Sequence, residues 1–387
     1  MKIAVVGGGP GGLYFARLIK RHRPADEVVV IEQNPRDATY GFGVTLGGPA
    51  RERMKRTDPE VQEKLSAVML FNDRQNIHLN GDDVLLQYAS AGGAIARLEL
   101  LKILQTACED VGVTLEHDRR IATVGELDGF DLIVGADGVN SAVRSEFSEA
   151  FGTGSYFLNN KFAWYGVGHA MLPNALVFRQ TGGGTFVAHY YAYTPGMSTF
   201  VAECDGATWQ ACGLDRMSDD ERRRVMEEIF APELGGATLI DNKSVWKSFN
   251  VITNARWTHR NIALLGDALR SAHFSIGSGT RLAMDDAASL FEAVSGVDDD
   301  VASALVRYVA IRQPIRDQFG SAAERSFNWY ENMREAMRAP AMDFTYDFLT
   351  RTGRVDDARL KDYAPAFYRQ YHDYRSRAAL GMREATA

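Results

Sequence analysis

Three glycine-rich stretches hold the residues best suited to chemistry. In Gly7-Gly8-Gly9-Pro10-Gly11-Gly12 the glycines fill a G-x-G-x-x-G pattern. Gly7 permits a tight turn, Gly9 lets the backbone approach a pyrophosphate, and Gly12 lets a helix pack closely on a strand. A helix starting there offers free N–H groups and the positive end of its dipole to phosphates. Glu32 lies further along, where a carboxylate accepts hydrogen bonds from ribose hydroxyls and repels a 2′-phosphate. The second stretch, Asp131–Arg144, carries Gly135-Ala136-Asp137-Gly138 and then Ser141 and Arg144. The third runs from an apolar segment into Gly266-Asp267. It continues through His273-Phe274-Ser275-Ile276-Gly277-Ser278-Gly279-Thr280-Arg281. Each alone suits many cofactor loops. Together they suit the separate parts of one flavin dinucleotide.

The elements that must position these residues follow from hydrophobic patterning. Lys2–Val6, Glu27–Ile31, Asp131–Ala136 and Asn261–Leu265 are short apolar runs, expected as buried strands. Leu13–Arg21 between the first two predicts a helix and completes a βαβ unit. Residues 36–60 read as loops and a helix, Val84–Tyr88 as a strand, and Leu98–Val111 as a helix. Phe162–Val167, Ala175–Arg179, Thr185–Tyr193 and Ser198–Glu203 are rich in Val, Phe, Tyr and Trp, with Gly and Pro between them, the pattern of an antiparallel sheet. Residues 218–231 predict a charged helix, and a further helix is expected over roughly Arg281–Val294. The expected fold is α/β. It has a discontinuous Rossmann-like domain (1–155 plus 250–300), an inserted mostly β substrate domain (156–249) and a helical C-terminal region (301–387).

Composition narrows the partners. The 387 residues carry a net charge of −7, which gives no general field for nucleic acid. Cys108, Cys204 and Cys212 have no metal or redox spacing, so free thiols in a reducing cytoplasm are expected, and no metal. Met1–Val6 resembles a signal peptide for six residues only, Gly7–Gly12 then breaks the apolar run, and no run reaches membrane-span length.

The three stretches together resemble the fingerprints of the single-component flavoprotein aromatic hydroxylases, the p-hydroxybenzoate hydroxylase fold. The resemblance implies that Gly7, Gly9, Gly12 and Glu32 hold the ADP half of FAD. It assigns Asp137 and Gly138 to FAD and nicotinamide binding. It puts Gly266 and Asp267 at the ribityl–pyrophosphate region, and Arg97, at a helix start, reaching the FAD. Gly277, Gly279 and Thr280 would face the flavin ring. Two departures stand out: Phe274-Ser275-Ile276 fills the place of a common proline, and Arg281 that of a common asparagine.

The wording His273–Thr280, Gly41-Phe42-Gly43-Val44 and His189–Cys204 is similar to a narrower branch. That branch includes salicylyl-CoA 5-hydroxylases, the monooxygenase part of 2-aminobenzoyl-CoA monooxygenase/reductases and the tryptophan hydroxylase of violacein synthesis. Glu331-Asn332-Met333 and Phe348–Arg354 look most like the salicylyl-CoA enzymes.

The implied reaction uses FAD, NADH or NADPH as transient reductant, and O2, through a flavin C4a-hydroperoxide attacked by an electron-rich ring. The best substrate is an aromatic CoA thioester, salicylyl-CoA giving gentisyl-CoA. Alternatives are a free indole or aminoaryl intermediate, or a flavin protein without oxygenase chemistry. His189, Tyr190 and His273 are candidates to sense a phenolic proton, against a purely structural hydrogen bond for each histidine. Trp164 and Tyr165 suit either a pocket wall or the core. Arg51, Arg53, Lys55 and Arg56 suit either CoA phosphates or a solvated helix face.

Overall fold

Two sheets carry the molecule. The computed structural model describes residues 1–277 and 279–384, so Ser278 lies outside the described residues. The first sheet has six strands in the order 258–259, 262–264, 132–135, 2–6, 27–31, 114–116. All neighbours are parallel except the edge strand Thr258–His259. Lys2–Val6 and Glu27–Ile31 are buried from their second residue onward. Covered on both faces, such strands read as unbroken apolar runs. The helix Pro10–His22 packs against them with Leu13, Phe15, Leu18 and Ile19 fully buried.

The second sheet has nine strands. Its path is 239–240, 153–167, 197–204, 184–194, 174–181, 70–79, 82–96, 43–46, with Lys247–Asn254 also paired to Thr153–Val167. Neighbours are antiparallel apart from Leu70–Leu79 beside Asn174–Thr181. This sheet draws strands from both sides of residue 156. The segments 43–46, 70–79 and 82–96, grouped by sequence with the first domain, pair here instead. The reason is local: Leu70–Leu79 is half-exposed and polar, so it has little strand signal of its own. Its register comes from Asp82–Ala96 on one side and Asn174–Thr181 on the other.

One face of the large sheet is covered by the C-terminal helices. Ile77, Leu86, Leu176, Phe178 and Val187 form a core with Tyr330, Phe344, Phe348 and Phe367. The other face holds Tyr165, Val177, Ala188, Phe200, Phe230 and Trp246. The long helix Val301–Glu331 joins the two halves: Tyr308 packs with the first sheet's core and Tyr330 with the second's. Among the described residues no helix is long and apolar enough to cross a membrane. The three cysteines are free thiols.

Candidate active site

The dinucleotide turn is built from close contacts that only glycine allows. Gly7 has φ of 111°, and a Cβ there would sit 2.4 Å from the Ala136 carbonyl oxygen. A Cβ on Gly12 would lie 2.1 Å from the Gly7 carbonyl oxygen. Gly9 differs: a Cβ there meets nothing within 4 Å. Its α-carbon faces open space at the N-cap of Pro10–His22, where a phosphate can meet the helix N-terminus. Glu32 is fixed beside it. Its Oε2 accepts from the Gly8 N–H at 2.8 Å, and Oε1 from Asn34 N and Nδ2 at 2.9 and 2.6 Å. The carboxylate is held in place with lone pairs to spare.

The two aspartate turns look alike in sequence and act differently. Asp137 Oδ2 caps the helix Ala142–Glu146, accepting from Ala142 N at 2.7 Å and Val143 N at 3.3 Å. Its Oδ1 is buried without a hydrogen-bond partner among the described residues. Burial raises the Asp137 pKa, opposed by the Ser141 hydroxyl and nearby N–H groups. Arg144 is not on a solvated face. It is buried and donates to Val139 O (2.7 Å) and Ala268 O (3.2 Å), tying this turn to the Gly266 turn.

Gly266 adopts φ of 59° and opens the four-residue helix Gly266–Leu269. Its turn rests on Asp286, a residue that sequence reasoning passed over. Asp286 is fully buried. It accepts from Gly266 N at 3.1 Å and from Arg312 Nε at 2.6 Å, and Arg316 Nε lies 3.3 Å away. A mid-helix acid facing the core is visible in sequence only as a charge between Met284 and Ala287. Its arginine partners lie in another helix.

Asp267 is thereby left to face a cavity. It is enclosed by protein yet accessible, because it opens into a space of about 680 Å³ also lined by Arg97, Thr45, Asn140, Phe162, Trp164, His189, Tyr191, Lys247, Gly277, Gly279 and Thr280. Burial raises the Asp267 pKa, offset chiefly by Arg316, the Ala272 N–H and Arg97. Arg97 starts the helix Arg97–Glu109. Burial lowers its pKa, while Asp267 and Tyr191 favour its charge. Its guanidinium makes no hydrogen bond among the described residues, so its donors remain available to a ligand.

A second cavity of about 800 Å³ adjoins the first. Six residues line both: Thr45, His189, Tyr191, Val201, Phe274 and Gly277. The second cavity lies between the large sheet and the C-terminal helices, where Tyr330, Phe348, Leu349 and Arg351 join its lining. Arg351 clamps the turn Phe274–Ile276. It donates to Ser275 O at 2.7 Å and to Ser326 Oγ at 3.1 Å, and lies 3.9 Å over the Phe348 ring.

Strand parity sorts the remaining candidates. His189 and Tyr191 face the cavities, and the Tyr191 hydroxyl donates to Gly43 O at 2.7 Å. Tyr190 points to the opposite face and stacks on Phe200, with ring centroids 6.2 Å apart. It cannot share a role with His189, because adjacent strand residues face opposite ways. Likewise Trp164 lines a cavity, whereas Tyr165 is buried and accepts from Trp246 Nε1 at 2.9 Å. His273 is buried among Phe249, Phe274 and Phe327, and its Nδ1 accepts from Ser275 N at 3.2 Å. Burial, assisted by Arg351, pushes its pKa down to about 3, so it is a neutral structural acceptor. His189 is pushed to about 4 by the same two causes and is also neutral, but faces ligand space.

Glu203, another unpredicted residue, is buried on the cavity side of Met197–Cys204. Asn160 Nδ2 donates to its Oε1 at 2.8 Å. Burial, with Glu331 nearby, pushes its pKa up to about 8 against that hydrogen bond. A lone acid in an otherwise apolar strand was the available signal. Among the described residues no cluster of three or more His, Cys, Asp or Glu could hold a metal.

An open-faced dinucleotide turn, leading to a ring-sized cavity against an antiparallel sheet, defines a flavin-dependent oxidoreductase. A family model, FAD binding domain, matches residues 129–321. Salicyloyl-CoA 5-hydroxylase of Streptomyces sp. is 34% identical over 96% of this chain and 75% of its own. A 3-hydroxy-4-methyl-anthranilyl-[aryl-carrier protein] 5-monooxygenase of Streptosporangium sibiricum is 35% identical over 92% of this chain and 95% of its own. Protodeoxyviolaceinate monooxygenase of Chromobacterium violaceum is 32% identical, covering 94% and 96%. In fold, the chain matches 2-methyl-3-hydroxypyridine-5-carboxylic acid oxygenase with a TM-score of 0.72, at 17% identity over 93% of this chain and 95% of that one. This chain belongs to the FAD-dependent aromatic monooxygenases, with the two-sheet fold of p-hydroxybenzoate hydroxylase and FAD as its cofactor.

Proposed function

We propose that this protein hydroxylates the ring of an aromatic acyl thioester, with salicyloyl-CoA to gentisyl-CoA as the first reaction to test. The carrying observation is the cavity of about 800 Å³, which adjoins the space proposed for the flavin and shares six lining residues with it. That room for a substrate larger than one ring agrees with the CoA and carrier-protein thioesters named for the two relatives above. The overall change is ring C–H, O2, NAD(P)H and H⁺ to ring C–OH, water and NAD(P)⁺. No membrane or nucleic acid takes part, and the reaction is assigned to the cytoplasm.

Gly7, Gly9, Gly12 and Glu32 are the residues to hold the ADP half of FAD. Asp137, Gly138, Gly266 and Asp267 would serve its middle. Arg97, Gly277, Gly279 and Thr280 would meet the flavin end. When bound, the flavin supplies the redox chemistry that lets nicotinamide electrons activate O2. The chain positions the ring and excludes water. Phe274, Tyr330, Phe348 and Leu349 give the substrate cavity apolar walls. His189, neutral and facing the cavity, can accept a hydrogen bond from a phenolic O–H and so orient the ring, its lowered pKa making it a weak base.

The test is NADH and NADPH oxidation by the FAD-loaded protein with salicyloyl-CoA, scored for hydroxylated product. Stoichiometric product supports the reading; oxidation without product overturns the substrate. The 32% identity to protodeoxyviolaceinate monooxygenase favours a second reading, a free indole or aminoaryl substrate. Assaying free acids and indoles beside thioesters separates the two.

A further inference from the structure

The substrate cavity has a strongly cationic mouth that the ring chemistry does not need. Arg74, Arg354 and Arg359 line it, from the strand Leu70–Leu79 and from the segment after Thr350. One further arginine backs them: Arg281 stacks on Phe319 beside Arg354, at 4.4 and 3.9 Å from the ring centroid respectively. Arg359 Nη1 donates to Arg354 O at 2.7 Å. Burial lowers the Arg354 pKa, and Arg359 and Arg53 push it the same way. Burial also lowers that of Arg281, with Arg53, Arg354 and Arg312 adding to the effect against Asp285.

The acidic groups nearby are largely engaged. Asp285 is held by Arg53 through two bonds of 2.9 Å, Asp356 caps the helix Asp357–Tyr363 by accepting from Arg359 N at 2.9 Å, Asp357 accepts from the Tyr346 hydroxyl at 2.8 Å, and Asp362 lines the same cavity. Arg51 lies 4.6 Å over Phe71 and donates to Ala91 O at 3.1 Å. Ala91 also lines the cavity. Lys55 and Arg56 are exposed on the helix Gly48–Thr57 and stand outside this group.

Mutually repelling arginines on an ordinary solvated face would spread apart. Here Phe319 and the backbone hold them together at the opening of a ligand cavity. Guanidinium groups so arranged suit a multiply charged phosphate ligand. The cavity's other end, around Glu203, His189 and Tyr330, carries Arg351 alone, already committed to Ser275 O and Ser326 Oγ, and suits the ring. We infer that Arg354 and Arg359, with Arg74, bind the phosphates of a CoA thioester while its acyl ring occupies the His189–Glu203 end. This rests on the thioester reading above and adds the residues that select the carrier. The other phosphate-bearing reactant is the reduced nicotinamide. Its adenosine phosphates would use the same chemistry, so the test includes it.

The FAD-loaded full chain is compared with Arg354→Glu/Arg359→Glu and with Arg354→Lys/Arg359→Lys. KM is measured for salicyloyl-CoA, its 3′-dephospho form, the carrier-protein-bound ester, the phosphate-free N-acetylcysteamine ester and NADH. The parent chain should show a KM for salicyloyl-CoA about tenfold or more below that of the phosphate-free ester. Charge reversal should erase that preference, and the lysine pair should keep most of it. Added salt should weaken it, since exposed charges are screened.

An equal KM rise for all esters overturns the proposal, as does a rise confined to NADH. A preference for the carrier-protein ester, with CoA treated like the truncated ester, also overturns it in favour of a protein-borne arm. If no thioester is hydroxylated while a free acid is, the parent reading fails as well. If the CoA ester reacts but charge reversal leaves its preference intact, only the phosphate site fails.

Discussion

The parallel-sheet turns and the cavity wall on the large sheet use polar groups in opposite ways. In the turns nearly every group is committed. Asp137 caps a helix, Glu32 receives three N–H bonds, and Asp286 joins Gly266 to two arginines. On the cavity wall polar groups are left facing space: Arg97, His189 and Glu203 line it, met by Asp267 from the Gly266 turn. The first arrangement fixes a shape; the second leaves capacity for a ligand. Stability and function should therefore separate when residues of the two kinds are changed.

The sharpest break is Asp286→Ala. Removing one partner of a buried ion pair costs about 3–5 kcal/mol. Arg312 and Arg316 would remain buried, so FAD retention and thermal stability should both collapse. A melting temperature near the parent's would remove Asp286 from the scaffold.

Glu203→Gln should act in the opposite sense. A carboxyl held near 8 in the folded chain, against 4.5 when unfolded, binds more protons folded than unfolded between those values. The parent chain is thus fully stabilised by this group below about pH 4.5 and loses that stability as pH rises through 8. Glutamine removes the loss. The variant should gain on the order of 3 kcal/mol at pH 8, with no gain at acid pH. Denaturant melts across pH 4–9 check this; a gain present equally at pH 4 would refute it.

Two glycines separate shape from binding within one turn. Gly12→Ala forces a Cβ onto the Gly7 carbonyl and should cost about 1–3 kcal/mol even without flavin. Gly9→Ala meets open space, so the apoprotein should melt within about 0.5 kcal/mol of the parent. FAD affinity, followed by flavin fluorescence, should nonetheless fall. Equal effects of the two on the apoprotein would end the distinction.

A modest effect is expected from Tyr191→Phe. It removes the bond to Gly43 O and should cost about 1 kcal/mol. Calorimetry with and without FAD would show whether that wall matters more once the cofactor is bound.

The same contrast explains what the sequence revealed. Gly7, Gly12 and Gly266 are legible because a tight turn or a close backbone contact demands glycine locally. The strands around them were bounded to within a residue or two. Leu70–Leu79 was not seen, because its polar, half-exposed residues become a strand only through pairing on both sides. Asp286, Glu203 and Arg351 were missed for a related reason: what matters about them is partners far along the chain. Tyr190 is named beside His189 in the sequence, although strand parity places Tyr191, not Tyr190, on the same side as His189. Arg281, unexplained by motif, stacks on Phe319 beside Arg354.

The six residues common to both cavities have a consequence for how such an enzyme diverges. A substitution at Thr45, His189, Tyr191, Val201, Phe274 or Gly277 alters both cavities, the proposed flavin space and the proposed substrate space, together. Those positions are pleiotropic, and a lineage seeking a new substrate pays twice for changing them. Freedom to explore lies instead in the single-sided lining, above all the segment from Phe348 to Tyr363.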